Sequence, residues 1–302
     1  ADASARSDHN VLLTYRYGKA VNSDMMVRLA ADRFARKPEG IPHNWLDTYE
    51  GLEKLRVLPL IKNEKGGYVA PAFTWYPQTE VCFLRNGSTF FAAKGGYNNE
   101  SHNHNDIGTF IYYLDNTPVM IDAGVGTYTR QTFSDERYSI WTMQSNYHNV
   151  PMVNGVAQAF GAKYKATRAK ADERSKTFSL DIAGAYPEEA AVKSWTRTYK
   201  LGKDKLSVTD TYRLTETKAP NQVNFLTWGQ VEASRPGTVD ININGVKARL
   251  RYDAGAFSLK LEPIQLPDKR LSNVWGPQIY RIAFTALKES LSGTYKFEIT
   301  KE

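Results

Sequence analysis

The sequence predicts a mainly β protein: a large antiparallel β-sandwich at residues 63–302, preceded by a few α-helices at residues 1–62. Three observations carry this. In the first part apolar residues recur at three- and four-residue spacing. Beyond about residue 66 at least eleven short runs rich in aromatic and β-branched residues follow one another. Turn residues separate those runs. With 302 residues, 41% of them apolar and 12% aromatic, the chain can bury a sizeable core and is too apolar for disorder.

The helical part is read from "SDMMVRLAADRFARKPEG". Ser23 and Asp24 are N-cap candidates, Met26, Leu29, Ala30 and Phe34 share one face, and Pro38 and Gly40 stop the helix. The stretch "SDHNVLLTYRYGKAV" before it predicts another helix, capped by Ser7 or Asp8. Helices this short cannot bury their own apolar faces, so they need something to pack on. The strands are read from "STFFAAKGG", "GTFIYYL", "TPVMIDAG", "KTFSLDIAG", "SWTRTYKLG", "LSVTDTYRL", "VDINI", "VKARLRYD", "FSLKLE", "IYRIAFTAL" and "TYKFEIT". Asn244-Gly245 predicts a tight hairpin, with weaker turn signals at Asp115-Asn116 and across Gly202–Lys205. One later helix candidate lies around Ser134–Gln144.

Lys and Arg exceed Asp and Glu by 39 to 32, a formal charge of +7. Between Lys163 and Lys205 eleven basic residues face six acidic ones. Such a surface favours anionic partners, whether nucleic acid, anionic lipid or acidic polysaccharide, and is also compatible with a merely soluble basic surface. No apolar run is long enough for a membrane-spanning helix, and no nucleic-acid-binding signature is present. The single cysteine, Cys82 in "EVCFL", predicts a buried thiol and precludes an intrachain disulfide. The first residues, "ADASARSDHN", hold neither a signal-peptide pattern nor a starting Met.

The segment "GGYNNESHNHNDIG" at residues 95–108 places His102 and His104 among asparagines and acids. Three readings compete: a plain polar surface loop, a cupin-like metal site, and a site assembled over residues 94–160. The cupin pattern wants a glutamate soon after the second histidine, and "NDIGTF" has none. In the third reading His104, Asp122 and His148 offer two imidazoles and a carboxylate, a donor set that zinc accepts. Asp122 ends the apolar strand "PVMI", which predicts partial burial and a need for a cation or several donors. There is a geometric difficulty. A two-residue turn at Asp115-Asn116 in regular register sets Asp122 opposite Thr109. That leaves His104 about 17 Å further along at strand rise. The loop before Ile107 must then fold back, or the pairing must bulge; otherwise Asp106 is the substitute ligand.

The ordered series Ser-His-x-His-x-Asp at 101–106, an apolar hairpin ending in "IDAG", then "DERY" and "SNYHNV", resembles the heparinase II/III family of polysaccharide lyases. The resemblance covers residues 94–155 closely and the later strands in type only. It implies that residues 1–62 are the last helices of a truncated α/α toroid, with the sandwich following. It implies zinc held by His104, Asp122 and His148 in a structural role, with calcium not separated from zinc by sequence. It places His102 and Tyr138 at the chemistry, and Asn98, Asn99 and Arg137 against the substrate. Its partner is acidic, uronic-acid-containing polysaccharide of the heparin or heparan sulfate type, with neither nucleic acid nor a membrane span. A homodimer and a periplasmic or secreted location are compatible with it.

Lyases of this kind cleave at C4 of a uronic acid by β-elimination. The C5 proton is barely acidic, so the neighbouring carboxylate must be neutralised, a base must take the proton and an acid must serve the leaving oxygen. A phenol, ordinarily near pKa 10, needs nearby positive charge for this, whereas an imidazole does not. The family's Tyr and His base pair comes largely from the toroid, and none of His9, Tyr15, Tyr17 or Tyr49 matches it. The resemblance therefore implies that residues 1–302 alone are inactive or nearly so. The competing reading is a non-catalytic β-sandwich that binds anionic glycans or serves a structural role.

Overall fold

The structure is a computed structural model and describes residues 10–36 and 48–302. Ser7, Asp8, His9, Pro38 and Gly40 lie outside the described residues. The chain forms two compact units, one within residues 6–71 and one spanning residues 72–302.

The first unit holds α1 (Val11–Ala20), α2 (Asp24–Arg36) and α3 (Thr48–Lys62). Asn10 caps α1, its side chain accepting the Leu13 N–H at 2.8 Å. Ser23 Oγ accepts the Met26 N–H at 3.4 Å at the start of α2. Val11, Leu12, Tyr15, Val27, Ala30, Val57 and Ile61 make a small core. Leu13, Tyr17, Met25, Leu52, Leu55 and Leu60 remain exposed, as expected of helices too short and too few to bury all their apolar surface.

The second unit is antiparallel throughout. A five-stranded meander (Phe73–Tyr76, Val81–Asn86, Thr89–Lys94, Phe110–Leu114, Thr117–Met120) pairs in chain order. An eight-stranded sheet runs, edge to edge, through Gln230–Glu232, Thr238–Ile243, Val246–Arg251, Ser292–Lys301, Lys205–Leu214, Val192–Gly202, Thr177–Asp181 and Thr167–Asp172. Four strands (Phe257–Gln265, Gln278–Ala286, Gln222–Thr227, Pro151–Met152) form a third sheet, and Tyr97–Asn98 pairs with Gly161–Lys165. One continuous core joins the three larger sheets. Tyr199 of the eight-stranded sheet meets Phe91 and Phe110 of the meander with ring centroids at 5.0 and 5.3 Å. Phe297 meets Phe225 at 5.0 Å. All eleven runs read from the sequence contain strands; buried and less buried residues alternate cleanly in some, such as Lys205–Leu214 and Thr238–Ile243, while Thr177–Asp181 is buried on consecutive residues.

The turns follow their chemistry. Ile243 pairs with Val246 across Asn244-Gly245, whose φ values are 51° and 89°. Leu114 pairs with Thr117 across Asp115-Asn116, with φ of 48° and 61°. Gly202 pairs with Lys205. The helix expected around Ser134–Gln144 is instead a train of 3₁₀ turns: Arg130–Phe133, Asp135–Ser139, Trp141–Met143 and Ser145–Tyr147. Extended backbone at Ser134, Ile140 and Gln144 separates them, and Ser134 Oγ takes the Glu136 N–H at 3.2 Å. Short polar side chains here compete with the helical ladder for backbone partners. The α-helix that sequence periodicity did not reveal is α4 (Lys269–Trp275), seven residues long and capped by Asp268.

Cys82 lies in the core at 0% exposure, and burial pushes its thiol up to about 12. Native protein is expected to resist alkylation by iodoacetamide at pH 8 and to react fully in guanidinium chloride. Rapid native labelling would contradict the packing described.

Candidate metal centre and adjoining groove

Three separate segments bring His104, Asp122 and His148 together. One potential ligand atom from each lies within 4.8 Å of the other two. His148 Nδ1 is 3.3 Å from Asp122 Oδ2, and the two imidazole centroids are 5.3 Å apart. Both rings are buried, while the Asp122 side chain keeps 20% of its exposure.

The predicted distance problem is resolved twice over. The hairpin bulges: Tyr113 pairs with Pro118 but Tyr112 with Met120, so Val119 is the extra residue. The loop also folds back. His102 adopts φ 58°, Thr109 N–H donates to Asp106 O at 2.9 Å, and Asn105 N–H reaches Met143 O at 3.0 Å. Gly108 is required at the bend. Its φ is +80°, and a Cβ there would lie 2.8 Å from Ile182 Cγ2. Asp106 is not the substitute ligand, because its buried carboxylate pairs with Lys94 Nζ at 2.8 Å. That ammonium holds the Asp106 carboxyl below its ordinary range, against the upward push of burial.

The donor set fits zinc. His148 Nε2 donates to Thr142 O at 3.1 Å, which orients the ring so that Nδ1 faces Asp122. Among the described residues neither ring nitrogen of His104 has a hydrogen-bond partner although both are buried, a cost that a cation would relieve. Burial lowers the His104 imidazole to about 3, so it is neutral and ready to coordinate. Tetrahedral zinc with bonds of about 2.0–2.2 Å sets its donors about 3.4 Å apart, and His148 Nδ1 and Asp122 Oδ2 stand at 3.3 Å. Two nitrogens among three donors favour zinc over calcium, which takes oxygen ligands.

Beside this trio lies an open groove of about 520 Å³, lined by Glu100, Ser101, His102, Asn103, Phe133, Ser134, Asp135, Arg137, Tyr138 and Phe160. It contains three of the five residues expected at the substrate or the chemistry. His102 is exposed there. Tyr138 stacks on Phe160 at 4.4 Å, with its hydroxyl 3.4 Å from Asn103 Nδ2. Arg137 donates to Asn103 O at 3.0 Å and to Thr132 O at 3.0 Å, tying the histidine loop to the 3₁₀ turns. Asn98 is placed differently from expectation. It is 0% exposed, and its amide donates to Gln158 Oε1 and Ala159 O at 3.2 and 3.0 Å. Its role in this structure is to hold the loop, since a side chain without solvent access cannot meet a sugar. Asn99 is exposed but does not line the groove.

Sequence reasoning missed the residues that hold these loops. Arg197 and Asp210 face each other across neighbouring strands and are both fully buried. The guanidinium binds the carboxylate through two contacts of 2.7 Å and donates to Asn149 O at 2.6 Å. Tyr199 OH donates to Gly108 O. Asn149, next to His148, donates to Phe110 O and Ile121 O and accepts from Leu226 N–H at 2.6 Å. Gln158 spans Ile107 N–H and O at 3.0 and 2.7 Å. One signal was available: in "SWTRTYKLG" an arginine occupies the inward alternation between Trp195 and Tyr199.

The sequence model of the family described as "Heparinase II/III-like, C-terminal" matches residues 69–259, more than half the chain. Comparison with curated proteins gives no match. The heparan sulfate lyase HepC from Pedobacter heparinus superposes with a TM-score of 0.61 at 16% identity, over 91% of this chain and 42% of that one. A heparinase III gives 0.56 at 16% identity, over 96% and 52%. A xanthan lyase from Paenibacillus gives 0.54 at 9% identity, over 96% and 31%. At these identities the likeness concerns the fold, and the chain spans less than half the length of HepC. Among the described residues no helix is long and apolar enough to cross a membrane. On its sequence match across the sandwich, with the fold in agreement, the chain belongs to the heparinase II/III-like C-terminal domain family.

Proposed function

We propose that this chain is the C-terminal part of a polysaccharide lyase that cleaves uronic-acid-containing acidic polysaccharide by β-elimination. The observation that carries the reading is the convergence of His102, Arg137 and Tyr138 on one groove, two residues from a buried histidine of the metal trio. A zinc ion held by His104, Asp122 and His148 would bind three chain segments together by coordination. The chain's own groups do the rest. His102, presented on a left-handed turn, exchanges a proton with the sugar. The Tyr138 hydroxyl, beside Asn103, serves the same proton path. Arg137 keeps a positive charge in the groove, where negative charge grows on the uronate carboxylate as the C5 proton leaves.

In this reading residues 1–62 are the end of an α/α toroid, whose upstream part supplies the principal base, and the protein acts in the periplasm or outside the cell. The 302-residue chain alone is then expected to be inactive, and a longer chain including the toroid active. The test is incubation of that longer chain with heparan sulfate, following the ultraviolet absorbance of the 4,5-unsaturated uronate. His102→Ala is expected to lower kcat by about 10²–10⁴ with zinc content unchanged. Saturated products, the mark of hydrolysis, would sink the mechanism. Tight, salt-sensitive glycan binding with no product would favour the non-catalytic module.

A further inference from the structure

We propose that the exposed rings of Phe133 and Phe160, the latter backed by Tyr138, form an aromatic platform that stacks against a pyranose ring of the acidic saccharide, an inference that rests on the functional reading above. Phe133 is 74% exposed and Phe160 50% exposed, yet both are large apolar rings on the wall of the same groove. Rings so placed leave apolar surface in water inside one groove, and exposed apolar surface in such a place marks a binding surface.

The rings stand on rigid backbone, so their exposure is not fraying. Phe160 follows Ala159, whose N–H donates to Ala185 O at 3.1 Å and whose carbonyl accepts from Asn98 at 3.0 Å. Gly161, next in the chain, pairs with Asn98. Phe160 then lies against Tyr138 with the ring planes 25° apart. Phe133 closes a 3₁₀ turn in which Thr129 N–H donates to Thr132 Oγ1 at 3.0 Å, and it meets Tyr128 edge-on at 5.5 Å. A platform fixed before binding loses little entropy when it is occupied.

The rim selects the occupant. His102, Asn103 and Arg137 share the groove with Glu100 and Asp135. A pyranose has apolar faces formed by its C–H bonds and a polar edge of hydroxyls. Aromatic rings suit the faces, whereas amide, carboxylate and guanidinium groups suit the edge.

The test is isothermal titration of the 302-residue chain with a heparan sulfate tetrasaccharide, comparing wild type, Phe133→Ala, Phe160→Ala and Phe160→Tyr. Both alanine variants are expected to raise Kd about tenfold. Phe160→Tyr is expected to stay near wild type. Zinc content is expected to be unchanged in all four proteins, and the melting temperature of the alanine variants to fall by only a few degrees (about 2–4 °C), the size of the lost ring contacts with Tyr138 and Tyr128. Wild-type binding with no loss in either alanine variant overturns the platform and leaves the functional reading standing. Failure of the wild type to bind heparan sulfate, chondroitin sulfate or alginate tetrasaccharides overturns the platform, whereas the functional reading stands or falls on the product assay of the longer chain. Loss of self-association in the alanine variants, with saccharide affinity intact, would assign the rings to a contact between chains and overturn the platform.

Discussion

Asp210→Ala is expected to destabilise the sandwich by about 3–5 kcal/mol, because it strands a buried guanidinium without its counter-charge. Both members of the Arg197–Asp210 pair are at 0% side-chain exposure. Trp195 Nε1 would also lose its acceptor, Asp210 Oδ1, at 2.9 Å. Urea denaturation of the folded chain measures the change. A double replacement, Arg197→Met with Asp210→Leu, removes both charges and is expected to recover part of the loss. It should not recover all of it, since Asn149 O would still lack the donor that Arg197 supplies at 2.6 Å. A loss below about 1 kcal/mol in Asp210→Ala would show that the pair is solvated in solution and not the internal strut described.

His104→Ala and His148→Ala are expected to reduce bound zinc from about one ion per chain to none, read by elemental analysis. A chelator is expected to lower the melting temperature of the wild type and to leave the variants unmoved, since the binding energy of a structural ion is folding energy. The stability of the metal-free forms discriminates further. In chelated protein His104→Ala removes two buried nitrogens that have no partners among the described residues, so it relieves an unsatisfied polar group while leaving a small cavity. The two effects oppose each other, and the variant is expected to lie within about 1 kcal/mol of chelated wild type. His148→Ala loses a contact to Thr142 O at 3.1 Å and is expected to be the less stable of the two. Wild type that folds without metal and is indifferent to chelator would sink the metal centre.

Much of the candidate site was legible in the sequence because its signals are local. The His-x-His loop, the carboxylate at the end of "PVMI" and the histidine before "NVPMV" each stand at the edge of an element that alternation alone defines. The groove was only half legible. His102, Arg137 and Tyr138 belong to a recognisable series, but Phe133 and Phe160 look like ordinary core residues until their exposure is known. Asn98 shows the reverse error: an asparagine in a polar loop reads as a surface group, and the fold buries it under Gln158 and Ala159.

Sequence by itself determined the antiparallel class, the two-residue turns at Asp115-Asn116 and Asn244-Gly245 and the burial of Cys82, and it singled out His104, Asp122 and His148, which the fold brings together. These depend on side-chain alternation and on backbone conformations that a few neighbouring residues dictate. Tertiary structure alone decided that Val119 bulges, that Asp106 belongs to Lys94, and that Arg197 reaches across the core to the carbonyl beside His148. Hydrogen-bond partners tens of residues apart, and the exposure of a given ring, follow from how sheets stack against one another. No local pattern encodes that stacking, because it is fixed by how apolar faces and buried polar partners from distant segments fit together.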